Sequence, residues 1–77
     1  MQAIDFDLEP GRDFVELNQL LKLAGVVDSG GAGKQLVASG AVAVDGAVEL
    51  RKTAKIRAGQ AVTLDGIAIR VRPAGAA

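Results

Sequence analysis

The 77-residue sequence predicts an α+β domain, in which two N-terminal helices pack on a small, mainly antiparallel sheet and an extra strand precedes them. Three observations predict this class. Apolar side chains alternate with acids over residues 4–8, and apolar residues at helical spacing follow until residue 40. Two Asp-Gly pairs then lie between alternating apolar residues, which is typical of β-hairpins. The resulting order is one strand, two helices and about four strands.

The first strand and the first helix are predicted from a change in apolar spacing. Residues 4–8 have the alternation of a strand with one buried face, and a Pro-Gly pair ends it. Asp13 and Glu16 then have the spacing of a capping box at the start of a helix. With apolar residues at helical spacing behind them and Gly25 as the C-cap, they predict a helix over residues 13–24.

A second helix is predicted to end at Gly40, and either Asp28 or Ser29 can cap its start. Three of the first residues of this helix are glycines, each of which disfavours a helix interior by roughly 1 kcal/mol relative to alanine. We therefore expect the first turn to be frayed, or to be held by packing or by a ligand.

Two hairpins are predicted at the Asp-Gly pairs 45–46 and 65–66. Asp-Gly is favoured in a two-residue type I′ turn because both positions of that turn have a positive φ. In and after the first hairpin, Val48, Leu50 and Ile56 are expected to point into an aliphatic core.

Length and composition limit both the number of domains and the chemistry. We expect residues 1–72 to form a single domain, because so short a chain cannot support two cores, and residues 73–77 to form a flexible tail. The sequence contains no cysteine and no histidine, which excludes thiol and Ser-His nucleophiles and removes the commonest metal ligands. We expect no catalytic residue, no cofactor and no metal site. The chain has neither a membrane-length apolar run nor a basic leader, so a cytoplasmic location is expected, without membrane association.

The charges are balanced in number but separated along the chain. Nine basic and nine acidic side chains give a net charge of zero. Acids dominate before Lys34, whereas cations dominate from Lys34 onward. This separation favours a polyanion as partner. We place the surface for it in residues 29–60, which hold a Gly-rich helix start, an Asp-Gly turn and a basic run.

The sequence GGAGK at residues 30–34 is similar to part of a phosphate-binding loop. The full motif is absent, since Asp28 stands where its first glycine is required and Gln35 where Ser or Thr is required. A phosphate-binding enzyme is therefore not predicted. Backbone N–H groups at the helix start, with Lys34 one turn on, can still hold a phosphate oxygen. The alternative is that the glycines only allow close packing against the first helix.

The basic run RKTAKIR at residues 51–57 is the stronger indication of function. If Ile56 is buried, Lys55 and Arg57 point to the opposite side, and Arg51 joins them by alternation. The pattern predicts a basic face, and its alternative is an ordinary solvated loop. On the last strand, Arg70 and Arg72 either extend this face or protect an exposed sheet edge.

The remaining chemical groups restrict the partner further. The acids of residues 5–9 are assigned to solubility rather than to metal binding, because no second ligand cluster completes a site. The two aromatic residues, Phe6 and Phe14, lie in patterns typical of a core. Proteins that bind single strands stack bases on aromatic side chains, so folded RNA is favoured over an unstructured strand.

The sequence ELNQLLKLAGVVDSGGAGKQLVASGAVAVDGAVE, with the later KIRAGQAV, resembles the S-four RNA-binding domain, also called the αL RNA-binding motif. That family has a Leu-rich helix, a Ser-led helix with a basic residue, the pattern G-x-V-x-V-[ND]-G and a later basic residue before a glycine. The resemblance covers residues 15–64. More narrowly, VDGAVELRKTAKIRAGQ is similar to small stand-alone bacterial members that associate with the ribosome.

This resemblance implies a non-catalytic module that binds structured RNA, either ribosomal or transfer RNA, through its second helix and the following hairpin. Gly30, Gly31 and Ala32 depart from the family, which often has an arginine and an acid there, so the basic run has to contribute more. We expect a monomer bound to ribosomal RNA or to a ribosome. The alternative is a regulatory module that docks on an acidic protein. The residues expected to contact RNA are Ser29, Lys34, Gln35, Arg51, Lys52, Lys55 and Arg57.

Overall fold

A computed structural model describes residues 2–75, with two helices packed on a mainly antiparallel sheet, so the predicted α+β class is confirmed. The last two residues of the predicted tail, 76 and 77, lie outside the described residues, as does residue 1. In chain order the elements are β1 (Gln2–Asp7), β2 (Phe14–Glu16), α1 (Leu17–Leu23), α2 (Gly30–Ala38), β3 (Ala43–Val44), β4 (Ala47–Val48), β5 (Lys55–Arg57), β6 (Ala61–Leu64) and β7 (Ile67–Arg72).

The strands form two sheets. The larger has the order β1-β7-β6-β3-β4, and β2 and β5 form the smaller one. The extra N-terminal strand β1 pairs parallel with β7, while the other pairings are antiparallel. Both predicted hairpins are present. Their Asp-Gly pairs have positive φ at each residue, 51° and 86° at residues 45–46 and 42° and 77° at residues 65–66, as a type I′ turn requires.

The first helix begins four residues later than predicted, at Leu17, and the capping box is wrong. The preceding three residues form β2, which pairs with β5, and Glu16 stands at the N-cap without a side-chain hydrogen bond. The reason is that residues 51–54 supply the acceptors for this helix start. The N–H of Leu17 donates to the carbonyl of Ala54 (2.9 Å), and the N–H of Asn18 donates to that of Lys52 (3.1 Å). Backbone carbonyls therefore replace the expected side-chain cap.

The other helix ends agree with the sequence. At the end of α1, Gly25 has a φ of 79°, and the N–H of Val26 donates to the carbonyl of Leu21 at 3.0 Å, as in a Schellman motif. Of the two candidate caps for α2, Ser29 is the one used, since its Oγ accepts from the N–H of Ala32 at 3.1 Å. Gly40 follows the end of α2 with a φ of 82°.

The core is aliphatic, but Val48 and Leu50 are not in it. They are 63% and 60% exposed, so the expectation that they point inward is wrong. The two-residue turn pairs Val48 with Ala43, which points away from the face of the buried Val42. Leu50 follows the end of β4. The fully buried large side chains are Leu17, Leu20, Leu21, Ile56, Ile69, Val37, Val42, Val62 and Val71.

Candidate nucleic-acid interface

Two of the three glycines at the start of α2 lie against α1, and Gly33 lies against its backbone. A Cβ built on Gly33 would lie 2.6 Å from the carbonyl oxygen of Asn18 and 3.2 Å from its Cα. The close-packing alternative is therefore confirmed for Gly33. Gly31 is different, because its Cβ would meet only the Oγ of Ser29, at 3.9 Å.

N–H donors gather at the first residue of α2. A Cβ on Gly30 would lie 2.9 Å from Nε2 of Gln19 and 3.5 Å from Nδ2 of Asn18. Asn18 is 2% exposed, and its Oδ1 has no hydrogen-bond partner within residues 2–75. Two side-chain amides of α1 therefore lie beside the first residue of α2, at the positive end of its helix dipole. Ser29 is held there as the helix cap, and both Lys34 and Gln35 are exposed on the helix.

Asn18 also connects α2 to the basic run. Its backbone lies against Gly33, and its N–H donates to the carbonyl of Lys52 at 3.1 Å. The helix that carries Lys34 and the loop over residues 51–54 therefore meet at one residue of α1. The sequence did not predict this junction, because it depends on a helix start that the capping box placed too early.

The run at residues 51–57 lies on the surface, and its first cation is paired. The guanidinium of Arg51 donates to both carboxylate oxygens of Glu49, Nη2 to Oε1 at 2.9 Å and Nε to Oε2 at 3.1 Å. These side-chain hydrogen bonds, with a further one from the Arg51 backbone N–H, lower the pKa of Glu49 to about 2. The same pair raises the pKa of Arg51. The charge of Arg51 is thus compensated within the chain.

Lys55 and Arg57 are exposed on β5, on either side of the buried Ile56, as predicted. Both contact the ring of Phe14: Nζ of Lys55 lies 5.0 Å from its centroid and Cζ of Arg57 lies 5.8 Å from it, within the range of a cation–π contact. Phe14 is only half-buried and belongs to β2, so its expected place in the core is wrong. It was placed there because the helix was predicted to begin at residue 13.

A side-chain relay fixes the end of the basic run. The N–H of Arg57 donates to Oε1 of Gln60 at 2.7 Å, and Nε2 of Gln60 donates to Oδ2 of Asp45 at 3.4 Å. The other oxygen of Asp45 accepts from the N–H of Ala61 at 2.9 Å. The first Asp-Gly turn and the basic run are therefore joined through Gln60. The sequence placed Gln60 within a family pattern but did not predict this contact.

The basic run borders a shallow depression. It has a volume of about 410 Å³ and is lined by Arg51, Thr53, Ala54 and Lys55. Two cations and a hydroxyl group thus face one concave surface. Such donors are the ones that contact phosphate oxygens in nucleic-acid complexes.

Arg70 and Arg72 lie beside the acids of β1. Arg72 donates from Nε to Oδ1 of Asp7 at 2.6 Å and from Nη2 to Oδ2 at 3.2 Å, which raises the pKa of Arg72. Arg70 is opposite Asp5 in the same parallel pairing. Because β7 lies between β1 and β6, these arginines do not protect a sheet edge. Asp7 therefore has an ion-pairing role that the assignment to solubility did not include.

Two further features concern metals and membranes. Residues 2–75 contain no group of three or more acidic side chains arranged to hold a metal ion. No helix in the same part of the chain is long and apolar enough to cross a membrane.

Comparison with known proteins identifies the family. A family model described as S4 domain matches residues 8–72. The chain belongs to the S4 domain family. Two relatives of this S4 domain are 53% identical to it over 57 residues, which span 74% of the chain and 81% of each relative. They are the Putative RNA-binding protein YbcJ of Escherichia coli (strain K12) and the Uncharacterized protein YbcJ of Shigella flexneri.

The S4 domain is also similar in fold to a solved structure. The solution structure of YbcJ from E. coli, described as revealing an αL motif involved in RNA binding, superposes with a TM-score of 0.70. The two sequences are 44% identical, and the match covers 94% of this chain and 90% of that protein. The predicted family and its αL motif are thereby confirmed.

Proposed function

We propose that this S4-domain protein is a monomer that binds structured RNA in the bacterial cytoplasm without catalysing a reaction. Ribosomal RNA, free or in an assembling ribosome, is the proposed target, with transfer RNA as the second candidate. The family, and the RNA binding described for YbcJ, support the class of partner.

The depression at the basic run is the observation that supports the position of the interface. Its lining includes Arg51, Thr53 and Lys55, and the neighbouring Lys52 is joined through Asn18 to the helix that carries Lys34. We place RNA phosphates along this path, from the start of α2 to the β5 face. Ser29 and Gln35 lie at the α2 end of the path. Arg70 and Arg72 are left out, because they belong to β7, which lies in a different sheet from β5.

Salt dependence tests the electrostatic part of this proposal. If about five phosphates are neutralised, the logarithm of RNA affinity falls against the logarithm of salt concentration with a slope of about 3.5 to 4.5. The affinity for a labelled RNA hairpin, measured by fluorescence anisotropy, would then weaken roughly a few hundred-fold between about 50 and 200 mM salt. An affinity independent of salt would contradict the proposal.

Paired variants test the position. Replacing Arg51, Lys52 and Lys55 together by alanine should abolish retention of RNA while the domain stays folded, since these side chains are exposed. A matched comparison removes two cations at a time. Lys52→Ala with Lys55→Ala should weaken binding strongly, whereas Lys22→Ala with Arg70→Ala should have a small effect. Equal losses for the two double variants would show that net charge, rather than this surface, determines binding.

Docking on an acidic protein is a second candidate, favoured by one observation. Val48 and Leu50 are exposed just before the basic run, and exposed apolar patches often mark protein interfaces. Isolation of partners from a lysate with and without ribonuclease separates the two functions. Loss of the partners after digestion supports RNA, and their retention supports a protein.

A further inference from the structure

An open groove shares Phe14 with the cations of the basic run. It has a volume of about 400 Å³ and lies between the end of β1, β2 and α1. Its apolar lining consists of Phe6, Leu8, Phe14, Val15 and Leu23. Leu23 is 54% exposed, and both phenylalanines are only half-buried. Both aromatic side chains of the chain thus face the same accessible space.

The groove is amphipathic. Besides its apolar lining, it is bordered by two carboxylates, one guanidinium and one amide, among them Glu16 and Gln19. A nucleobase is amphipathic in the same way, because it has two apolar faces and an edge of hydrogen-bond donors and acceptors. Carboxylate and amide side chains are common partners of base edges. The volume also falls in the range of small-molecule sites.

Phe14 is shared between this groove and the cations of β5. Its ring lines the groove, while Nζ of Lys55 and Cζ of Arg57 lie 5.0 and 5.8 Å from its centroid. In a nucleotide, the base and its phosphate are separated by one sugar. A base beside the Phe14 ring would therefore have its phosphate within reach of Lys55 or Arg57. The two cations beside Phe14, and the continuity with the basic run, favour a nucleotide over an apolar protein segment.

We infer that the groove binds an unpaired nucleobase, stacked on Phe14, of an RNA whose folded part lies on the basic run. The inference rests on the proposed function and adds to it a specificity for RNA that has an unpaired nucleotide next to a helix. Stacking on an aromatic side chain supplies the affinity, as in proteins that bind single strands. Lys55 and Arg57 hold the adjoining phosphate.

Three RNAs test this inference with the full chain: a blunt hairpin, the same hairpin with an unpaired 3′ extension of adenosines, and that extension with abasic riboses. The abasic extension has the same charge but no bases. The adenosine extension should bind about tenfold more tightly than the abasic one, as one stacked base allows. Phe14→Leu should remove this difference, and Phe14→Tyr should keep it. Leu23→Ser, at an exposed position, should reduce it without a risk to folding.

NMR gives a direct readout, because the chain has two phenylalanines and no other aromatic residue. In 13C-labelled protein, the ring signals of Phe14 should shift with the adenosine extension and not with the abasic one. Equal affinities for the two extensions, with unchanged Phe14 ring signals, would overturn the inference. A protein segment would then be the favoured occupant of the groove. If the blunt hairpin still binds with the expected salt dependence, the proposed function survives that outcome. If none of the three RNAs binds, the proposed RNA-binding function itself is contradicted.

Discussion

Gly33 of α2 lies directly on the backbone of Asn18 in α1, so that a Cβ at residue 33 would be 2.6 Å from the Asn18 carbonyl oxygen. Backbone atoms cannot move aside as the end of a flexible side chain can. The same Asn18 donates its N–H to the carbonyl of Lys52. One close contact between two helices therefore also determines how α2 is placed relative to the basic run.

Alanine at Gly33 and at Gly31 should have opposite effects on stability. Gly33→Ala should lower the free energy of unfolding by about 1–3 kcal/mol, because the methyl group overpacks the Asn18 backbone. Gly31 is exposed in the same turn and has room for a Cβ. Gly31→Ala should therefore raise the free energy of unfolding, by up to about 1 kcal/mol. Urea unfolding followed by circular dichroism measures both free energies. If Gly33→Ala were as stable as Gly31→Ala, the packing argument would be contradicted.

The two Asp-Gly turns should differ in their sensitivity to alanine. Asp45 and Asp65 both have a positive φ, which alanine adopts at a cost of roughly 1 kcal/mol. Only Asp45 has an added role, since its carboxylate accepts from the N–H of Ala61 and from Gln60. Asp45→Ala should therefore lower the free energy of unfolding by about 1 kcal/mol more than Asp65→Ala does.

Asp45→Asn is the control for this comparison. Asparagine also favours a positive φ and keeps an oxygen that accepts from the Ala61 N–H, but its NH2 group cannot accept from Nε2 of Gln60. In thermal unfolding, Asp45→Asn should therefore lose less stability than Asp45→Ala. Equal losses for Asp45→Ala and Asp65→Ala would mean that the hydrogen bonds of the Asp45 carboxylate with Ala61 and Gln60 contribute nothing to stability.

The features that were predictable from the sequence are those with local causes. Alternation predicted β1, and the Asp-Gly pairs predicted both hairpins, because turn conformation depends on the two residues in the turn. The start of α1 was predicted wrongly, since its N–H groups are satisfied by carbonyls more than thirty residues later in the chain. No local signal at residues 13–16 reveals partners at such a distance.

The candidate site was predictable as a set of cations, but not in its charge balance. RKTAKIR predicted exposed Lys55 and Arg57 around a buried Ile56, which the structure contains. The pairing of Arg51 with Glu49 depends on the conformation of residues 49–51. Likewise, the acids opposite Arg70 and Arg72 come from the parallel pairing of the first and last strands, which no pattern within either strand specifies.

Glu49 should titrate far below an ordinary glutamate. Hydrogen bonds from Arg51 lower its pKa from 4.5 to about 2. Because the folded-state pKa is lowered, the pair stabilises the fold fully above pH 4.5, and this contribution is lost as the pH falls through about 2. The 13C signal of the Glu49 carboxyl group, followed by NMR against pH, gives its midpoint directly.

Two variants identify the cause of the lowered pKa. The side-chain hydrogen bonds of Arg51 are the largest cause, ahead of the charge alone. Arg51→Ala should therefore raise the Glu49 midpoint toward 4.5 without reaching it, because the backbone N–H of residue 51 still donates to the carboxylate. Arg51→Lys, which keeps the charge but loses the two-pronged geometry, should raise it by less. A midpoint near 4.5 in the wild type would show that the ion pair is not formed in solution.

Removing the charge of Glu49 should strengthen RNA binding. The side chain of Arg51 is 80% exposed, but its guanidinium is paired with the Glu49 carboxylate. Glu49→Gln leaves the positive charge of Arg51 uncompensated. We expect tighter binding of an RNA hairpin, because a negative charge beside the phosphates is removed. The salt slope should become steeper by at most about 0.7 to 0.9, the contribution of one phosphate contact. Fluorescence anisotropy at several salt concentrations measures both quantities.

The double variant Glu49→Gln with Arg51→Ala is the control. Its affinity should show no gain, because no guanidinium remains at residue 51 to contact the RNA. Weaker binding by Glu49→Gln alone would assign the opposite role to Glu49, that of holding Arg51 in the orientation in which it meets the RNA.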